Sequence, residues 1–156
     1  MAYAVRGLDP APFAALFALD EEALAYHRAV RLRAAASAGF PCRVSLRDAD
    51  EGEELVLVHH VHHDVETPFR SAFAIYVRKD AAEAAAYVDE CPPVFTGRPI
   101  ALRGYDAAGM LAAARLAFPG EADARIRELL EIETIAYIDA HNAAHGCFAA
   151  RIERHD

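Results

Sequence analysis

The sequence predicts an α+β fold: a single domain with a mainly antiparallel β-sheet, two or three helices packed on it, and a C-terminal β-hairpin. Three observations carry this. Segments in which apolar and polar residues alternate with period two recur along the chain. Short turns rich in Gly, Asp and Pro join most of them, as antiparallel pairing requires. Helical spacing of apolar residues is largely confined to two places, one near the N-terminus and one just before residue 134. A chain of 156 residues, 54% of them apolar, fits one domain with a sizeable core. No repeat, low-complexity linker or change of composition divides residues 1–156.

The elements follow in order. Tyr3 to Leu8 reads as a short strand. Asp9 and Pro10 supply an N-cap and a first-turn proline for a helix with Phe13, Leu16 and Phe17 on one face. A second short helix starts at Asp20, where Glu21 and Glu22 complement the helix dipole. Val30, Leu32 and Ala34 alternate with Arg31 and Arg33 in a half-exposed strand, and residues 34–41 form a loop. Cys42, Val44 and Leu46 share one face of a further strand, with Arg43, Ser45 and Arg47 on the other. Residues 48–52 are a turn. The run Leu55-Val-Leu-Val58 needs cover on both faces, so residues 54–60 form a central strand.

Residues 61–70 are expected as a loop closed by Thr67-Pro68, and Ala72 to Arg78 as a strand. Residues 80–88 are Ala-rich and read as a helical turn or two. Residues 91–99 are a proline-punctuated connection. Ile100 to Tyr105 and Met110 to Phe118 are strands joined by a tight turn at Asp106–Gly109, although Ala112 to Ala114 suit a helix equally well. Pro119 opens the last helix, with Ile126, Leu129 and Leu130 on its buried face.

The hairpin is the candidate functional element. In residues 134–141, Ile135, Tyr137, Asp139 and His141 point one way and Ala136, Ile138 and Ala140 the other. In residues 147–154, Cys147, Arg151 and Glu153 oppose Phe148, Ala150 and Ile152. Asn142-Ala-Ala-His-Gly146 is a loop in which glycine provides positive φ. Closing the loop at His141 and Cys147 places Ala140 against Phe148, Ile138 against Ala150 and Tyr137 against Arg151. Apolar residues then meet apolar residues, and a one-residue slip would mix the faces. Directly opposed Cβ atoms lie about 4.5–5.5 Å apart. His141 and Cys147 are thus expected as neighbours, with Asp139 on the same face.

Composition excludes several functions. A formal net charge of −8 disfavours a nucleic-acid backbone binder. No apolar run approaches membrane-spanning length. The N-terminus lacks the basic and apolar regions of a signal peptide, and three cysteines make an odd, sparse set. Reduced thiols in a cytoplasm are therefore expected. The chain has no CxxC, GxGxxG or P-loop motif.

Several segments together carry a resemblance. They are Gly39-Phe-Pro-Cys42-Arg43-Val-Ser45-Leu, Asp48-Ala, Gly52-Glu53-Glu, Thr67-Pro68-Phe69 and Ile75-Tyr-Val-Arg78. With them go Leu102-Arg-Gly-Tyr105-Asp106 and Ala136-Tyr-Ile-Asp-Ala-His141-Asn142-Ala-Ala-His-Gly146-Cys147-Phe-Ala-Ala-Arg151-Ile. The chain resembles a family of mostly bacterial proteins catalogued as domain of unknown function 1203. The resemblance implies one domain over nearly the whole chain and implies no activity or cofactor.

Three functions stay open. The first is a polar small-molecule site, binding or catalytic. Cys147 would be nucleophile or contact, His141 the base, and Asp139 or Asn142 the orienting group, because an activated thiol needs a base that a third group holds. Tyr137 shares that face. Arg43, Arg78 and Arg151 would neutralise a carboxylate or phosphate. Against this, a buried cysteine is commonly inert packing. The second is a metal site from His60, His62, His141 and Cys147, the residue types zinc prefers. The bland counterpart is a solvated run of histidines, His59, His60, His62 and His63, and no ligand spacing matches a known zinc motif. The third is a non-enzymatic module in which an exposed strand edge pairs two chains into a homodimer.

Overall fold

A computed structural model describes residues 1–156. The chain forms antiparallel sheets with three α-helices and a C-terminal hairpin. The strands are β1 (Ala2–Arg6), β2 (Ala29–Arg33), β3 (Glu54–His63), β4 (Ser71–Arg78), β5 (Ala86–Val88), β6 (Ile100–Tyr105), β7 (Leu111–Ala117), β8 (Tyr137–Asn142) and β9 (Phe148–His155). The helices are α1 (Ala11–Ala14), α2 (Glu21–Tyr26) and α3 (Ala122–Leu130). There are two sheets, one of six strands in the order β5-β1-β9-β8-β6-β7 and one of three in the order β2-β3-β4. No helix is long and apolar enough to cross a membrane.

Each sheet has its own core. On the large sheet, Tyr3, Ile100, Leu102, Ile138, Ala140 and Ile152 pack with Ile126, Leu129 and Leu130 of α3. On the small sheet, Val56, Val58, Ile75 and Val77 pack with Phe13 of α1, Leu16 of the 3-10 turn that follows it (Ala15–Ala18) and Leu24 of α2. Asp20 caps α2 by accepting from the Ala23 amide at 2.9 Å, and Asp9 accepts from the Ala11 amide at the start of α1 at 2.9 Å. The apolar run in β3 lies between β2 and β4, the central place its composition requires.

Four expectations change. β3 runs on to His63, because residues 61–63 pair with β4 through a bulge instead of looping out. Residues 80–88 contain no helix; Ala86–Val88 pairs with β1 as an edge strand, so tertiary pairing overrides alanine's helix propensity. Residues 42–46 do not form a strand. Cys42 and Val44 pack into the small-sheet core and Leu46 into the large-sheet one, so no single strand face serves all three. The segment arches instead, with Leu46 at φ 55° and one bridge between Pro41 and Asp48 at its base.

The fourth change is in the hairpin register. Asp139 lies opposite Arg151, Ile138 opposite Ile152 and Ala140 opposite Ala150. That is two residues from the expected pairing, and a shift of two leaves both faces intact, so alternation alone does not distinguish the two. The observed register gives like-with-like apolar pairs and an ion pair. A bulge at Ala149 then makes His141 pair with Phe148 rather than Cys147, and it turns Phe148 onto the His141 face.

Candidate functional site

The arch at residues 41–48 is pinned from several sides. The Leu8 amide donates to the Arg43 carbonyl at 2.8 Å, the Ala85 amide to Val44 at 2.9 Å, and the Arg43 amide to Tyr76 at 3.1 Å. This carries the Arg43 side chain into the interior, where the residue is 2% exposed. Its guanidinium donates through Nε to the Phe148 carbonyl at 2.7 Å and through Nη1 to the Pro41 carbonyl at 2.5 Å. Nη2 donates to Cys147 Sγ at 3.0 Å. Arg43 makes no ion pair, while buried Arg78 and half-buried Arg98 and Arg151 each have a carboxylate. Burial pulls the Arg43 guanidinium below its ordinary value, and the adjacent Cys147 opposes that pull.

Asn142 completes the group. Its Nδ2 donates to Cys147 Sγ at 3.3 Å, and its Oδ1 is buried without a partner. The Asn142 amide donates to the Cys147 carbonyl at 2.9 Å, which holds the two residues across the loop. Two donors thus converge on one sulfur. A negative charge at this point, on sulfur or on a ligand, meets a guanidinium with no carboxylate of its own.

These groups border a cavity of about 370 Å³ between the hairpin loop and the small sheet. Leu57, Ala74 and Tyr76, on one face of β3 and β4, form one wall; Pro99, Ala143 and Ala144 form another. Arg98 also borders it, but donates to both Asp48 oxygens at 2.7 and 3.0 Å. His145 stands exposed on the rim.

His141 faces the other way from Asn142, as neighbours on a strand do. Its Nδ1 donates to the Gly146 carbonyl at 3.0 Å, so the proton sits on Nδ1 and Nε2 carries a bare lone pair with no partner. His62 lies against it with ring centroids 5.0 Å apart and stacks on Phe148 at 5.2 Å. Burial pushes His141 down to about 4 and His62 to about 3. Further along, His63 Nδ1 donates to the Phe69 carbonyl, Tyr137 donates its hydroxyl to His63 Nε2 at 2.8 Å, and Tyr105 stacks on the His63 ring.

The residues singled out in the sequence therefore divide into groups. Arg43, Asn142 and Cys147 come together at the cavity. His141 joins His62 instead and makes no hydrogen bond to the sulfur. Asp139 and Arg151 form an ion pair over which Tyr137 stacks. Arg78 is bound to Glu53. His60 packs on Phe13, and no three His, Cys, Asp or Glu side chains gather as an ion-binding set. Sequence reasoning missed the Leu57–Ala74–Tyr76 wall. Its signal was the two-sided apolar run in β3, but what covers each face is not written in that run.

The fold and site define an α+β protein with two antiparallel sheets and a polar cluster at the end of its last hairpin. Residues 39–154 match the family described as Protein of unknown function (DUF1203). This is well over half of the chain, and the protein belongs to that family. No curated protein and no solved structure matches it.

Proposed function

We propose that the cavity at the end of the C-terminal hairpin binds a small anionic molecule, with Arg43 supplying the positive charge. Asn142 and Cys147 flank the seat, and Cys147 is the contact residue or the nucleophile. One observation carries this reading: a buried guanidinium that borders a cavity and has no carboxylate partner. A buried charge is costly unless paired, so an anion entering here recovers interaction that the protein alone leaves unmade. The free thiols Cys42, Cys91 and Cys147 fit a reducing compartment such as the cytoplasm.

The test compares two alkylating agents at Cys147, one anionic and one neutral. Ordinary thiolates repel iodoacetate and react faster with iodoacetamide. At Cys147 the order is expected to reverse, because Arg43 draws the carboxylate in. Peptide mapping follows Cys42 and Cys91 in the same sample as internal references. Arg43→Met is expected to restore the ordinary order. An ordinary order at Cys147 in the native protein would remove the proposal.

A further inference from the structure

We infer that the ligand is an amphipathic monocarboxylate, with one carboxylate head on Arg43 and an apolar, preferably aromatic, body against the β3–β4 wall. This rests on the anion seat proposed above and narrows it to a chemical class. Charge limits the ligand to one anionic group. Of the two arginines bordering the cavity, Arg98 is already claimed by Asp48 at 2.7 Å, which leaves Arg43 as the one buried, uncompensated cation. A nucleotide or polyphosphate brings several negative charges to a chain of net charge −8, and no α-helix begins at the cavity to receive phosphate on its amides.

The shape of the donor selects a planar head. A guanidinium has five N–H groups. Arg43 spends one each on Phe148, Pro41 and Cys147. The two N–H groups left suit a planar head with two oxygens, as a carboxylate provides. The wall selects an apolar body. Leu57, Ala74 and Tyr76 share one face of the small sheet, are all only partly buried, and border the cavity. Apolar wall beside a single charge matches a molecule with a charged end and an apolar end. A volume of about 370 Å³ lies near the lower limit for small-molecule pockets, which fits a metabolite rather than a peptide.

The experiment measures protection of Cys147 from iodoacetate by phenylacetate, acetate, inorganic phosphate and ATP, using the whole chain. Titration calorimetry with the same four compounds on Cys147→Ser gives an independent reading that needs no alkylation. Phenylacetate is expected to act at a concentration at least ~10-fold lower than acetate, consistent with the apolar surface its ring buries, and lower than phosphate or ATP. Leu57→Ala is expected to narrow the phenylacetate advantage over acetate several-fold, while Phe73→Ala, on the opposite face of the sheet, leaves it unchanged. If acetate equals phenylacetate, or ATP binds most tightly, the class is wrong and the anion seat survives. If none of the four binds and Cys147 shows no preference for iodoacetate, both fall.

Discussion

Asp139 and Arg151 face each other across the β8–β9 pair in a two-pronged ion pair, Nε to Oδ1 at 2.8 Å and Nη2 to Oδ2 at 3.0 Å. The two partners are not equally buried: the Asp139 side chain is 0% exposed and that of Arg151 36%. The guanidinium also lies 4.3 Å from the centre of the Tyr137 ring. Removing one partner therefore has unequal effects. Arg151→Met strands a carboxylate away from water and is expected to cost about 3–5 kcal/mol. Asp139→Asn leaves an arginine that reaches solvent and keeps one acceptor, at about 1–2 kcal/mol. Urea unfolding of both variants checks this, and equal losses would contradict it.

A second expectation concerns acid. His62 and His141 meet between the sheets, and burial is the main cause of both depressed values, with Arg103 adding positive charge and Asp139 partly offsetting it at His141. The unfolded chain takes up these protons near the ordinary histidine value of 6.5, while the native chain holds them off until about 4 at His141 and about 3 at His62. Protons below pH 6.5 therefore favour unfolding, and the stability present above that pH is lost as pH falls toward 4. For His141, which is 1% exposed, the loss between pH 7.5 and pH 5 is about 2 kcal/mol. Denaturant melts at the two pH values read it directly. His141→Phe is expected to flatten the dependence by a similar amount.

Much of this architecture is legible in period-two alternation, because a strand with one buried face writes that face into every second residue. β4, β6, β8 and β9 and their antiparallel joins are found that way. Arg43, Asn142 and Cys147 are picked out by residue type instead: the sequence reads Arg43 in a strand that the arch replaces and Asn142 in a loop, although it closes β8. The hairpin register is the instructive miss. Alternation separates registers of odd and even shift but not two even ones, and only the Asp139–Arg151 pairing and the Ala149 bulge select the observed one. The arch is a deeper miss. Cys42, Val44 and Leu46 alternate as a strand would, yet they reach two different cores. That choice depends on a second sheet the local sequence does not encode.

Arg78, which the sequence offers as a ligand for an anion, is by its geometry an anchor for the far side of the arch. It donates to Glu53 at 2.9 Å through Nε and 2.5 Å through Nη2, and to Ser45 Oγ at 3.3 Å. Arg78 holds the Glu53 carboxyl below its ordinary 4.5. A depressed carboxyl stabilises the native state above its unfolded value and loses that contribution as pH falls through the folded one. Arg78→Met is expected to reduce stability by about 3 kcal/mol at pH 7. It is also expected to shrink the stability lost between pH 5 and pH 3.5, because Glu53 then titrates closer to its unfolded value. An unchanged acid slope would show that this pair does not set it.

The last expectation joins a backbone contact to the cavity. At Gly7 a Cβ would collide with the Val44 carbonyl, and the Ala85 amide stands 3.1 Å away. Both are main-chain atoms of the structure that pins the arch, so relief requires moving the arch. At Gly104 the nearest atom is Ile135 Cδ1 at 2.5 Å, the far end of a side chain that can turn. Gly104→Ala is therefore expected to cost about 1 kcal/mol and Gly7→Ala about 3 kcal/mol, toward the upper end for overpacking. Gly7→Ala also shifts the Arg43 carbonyl away from the Leu8 amide, now bonded at 2.8 Å. It is expected to weaken the iodoacetate preference at Cys147, while Gly104→Ala leaves that preference unchanged. Alkylation rates in the two variants, measured where both remain folded by circular dichroism, separate loss of stability from displacement of Arg43.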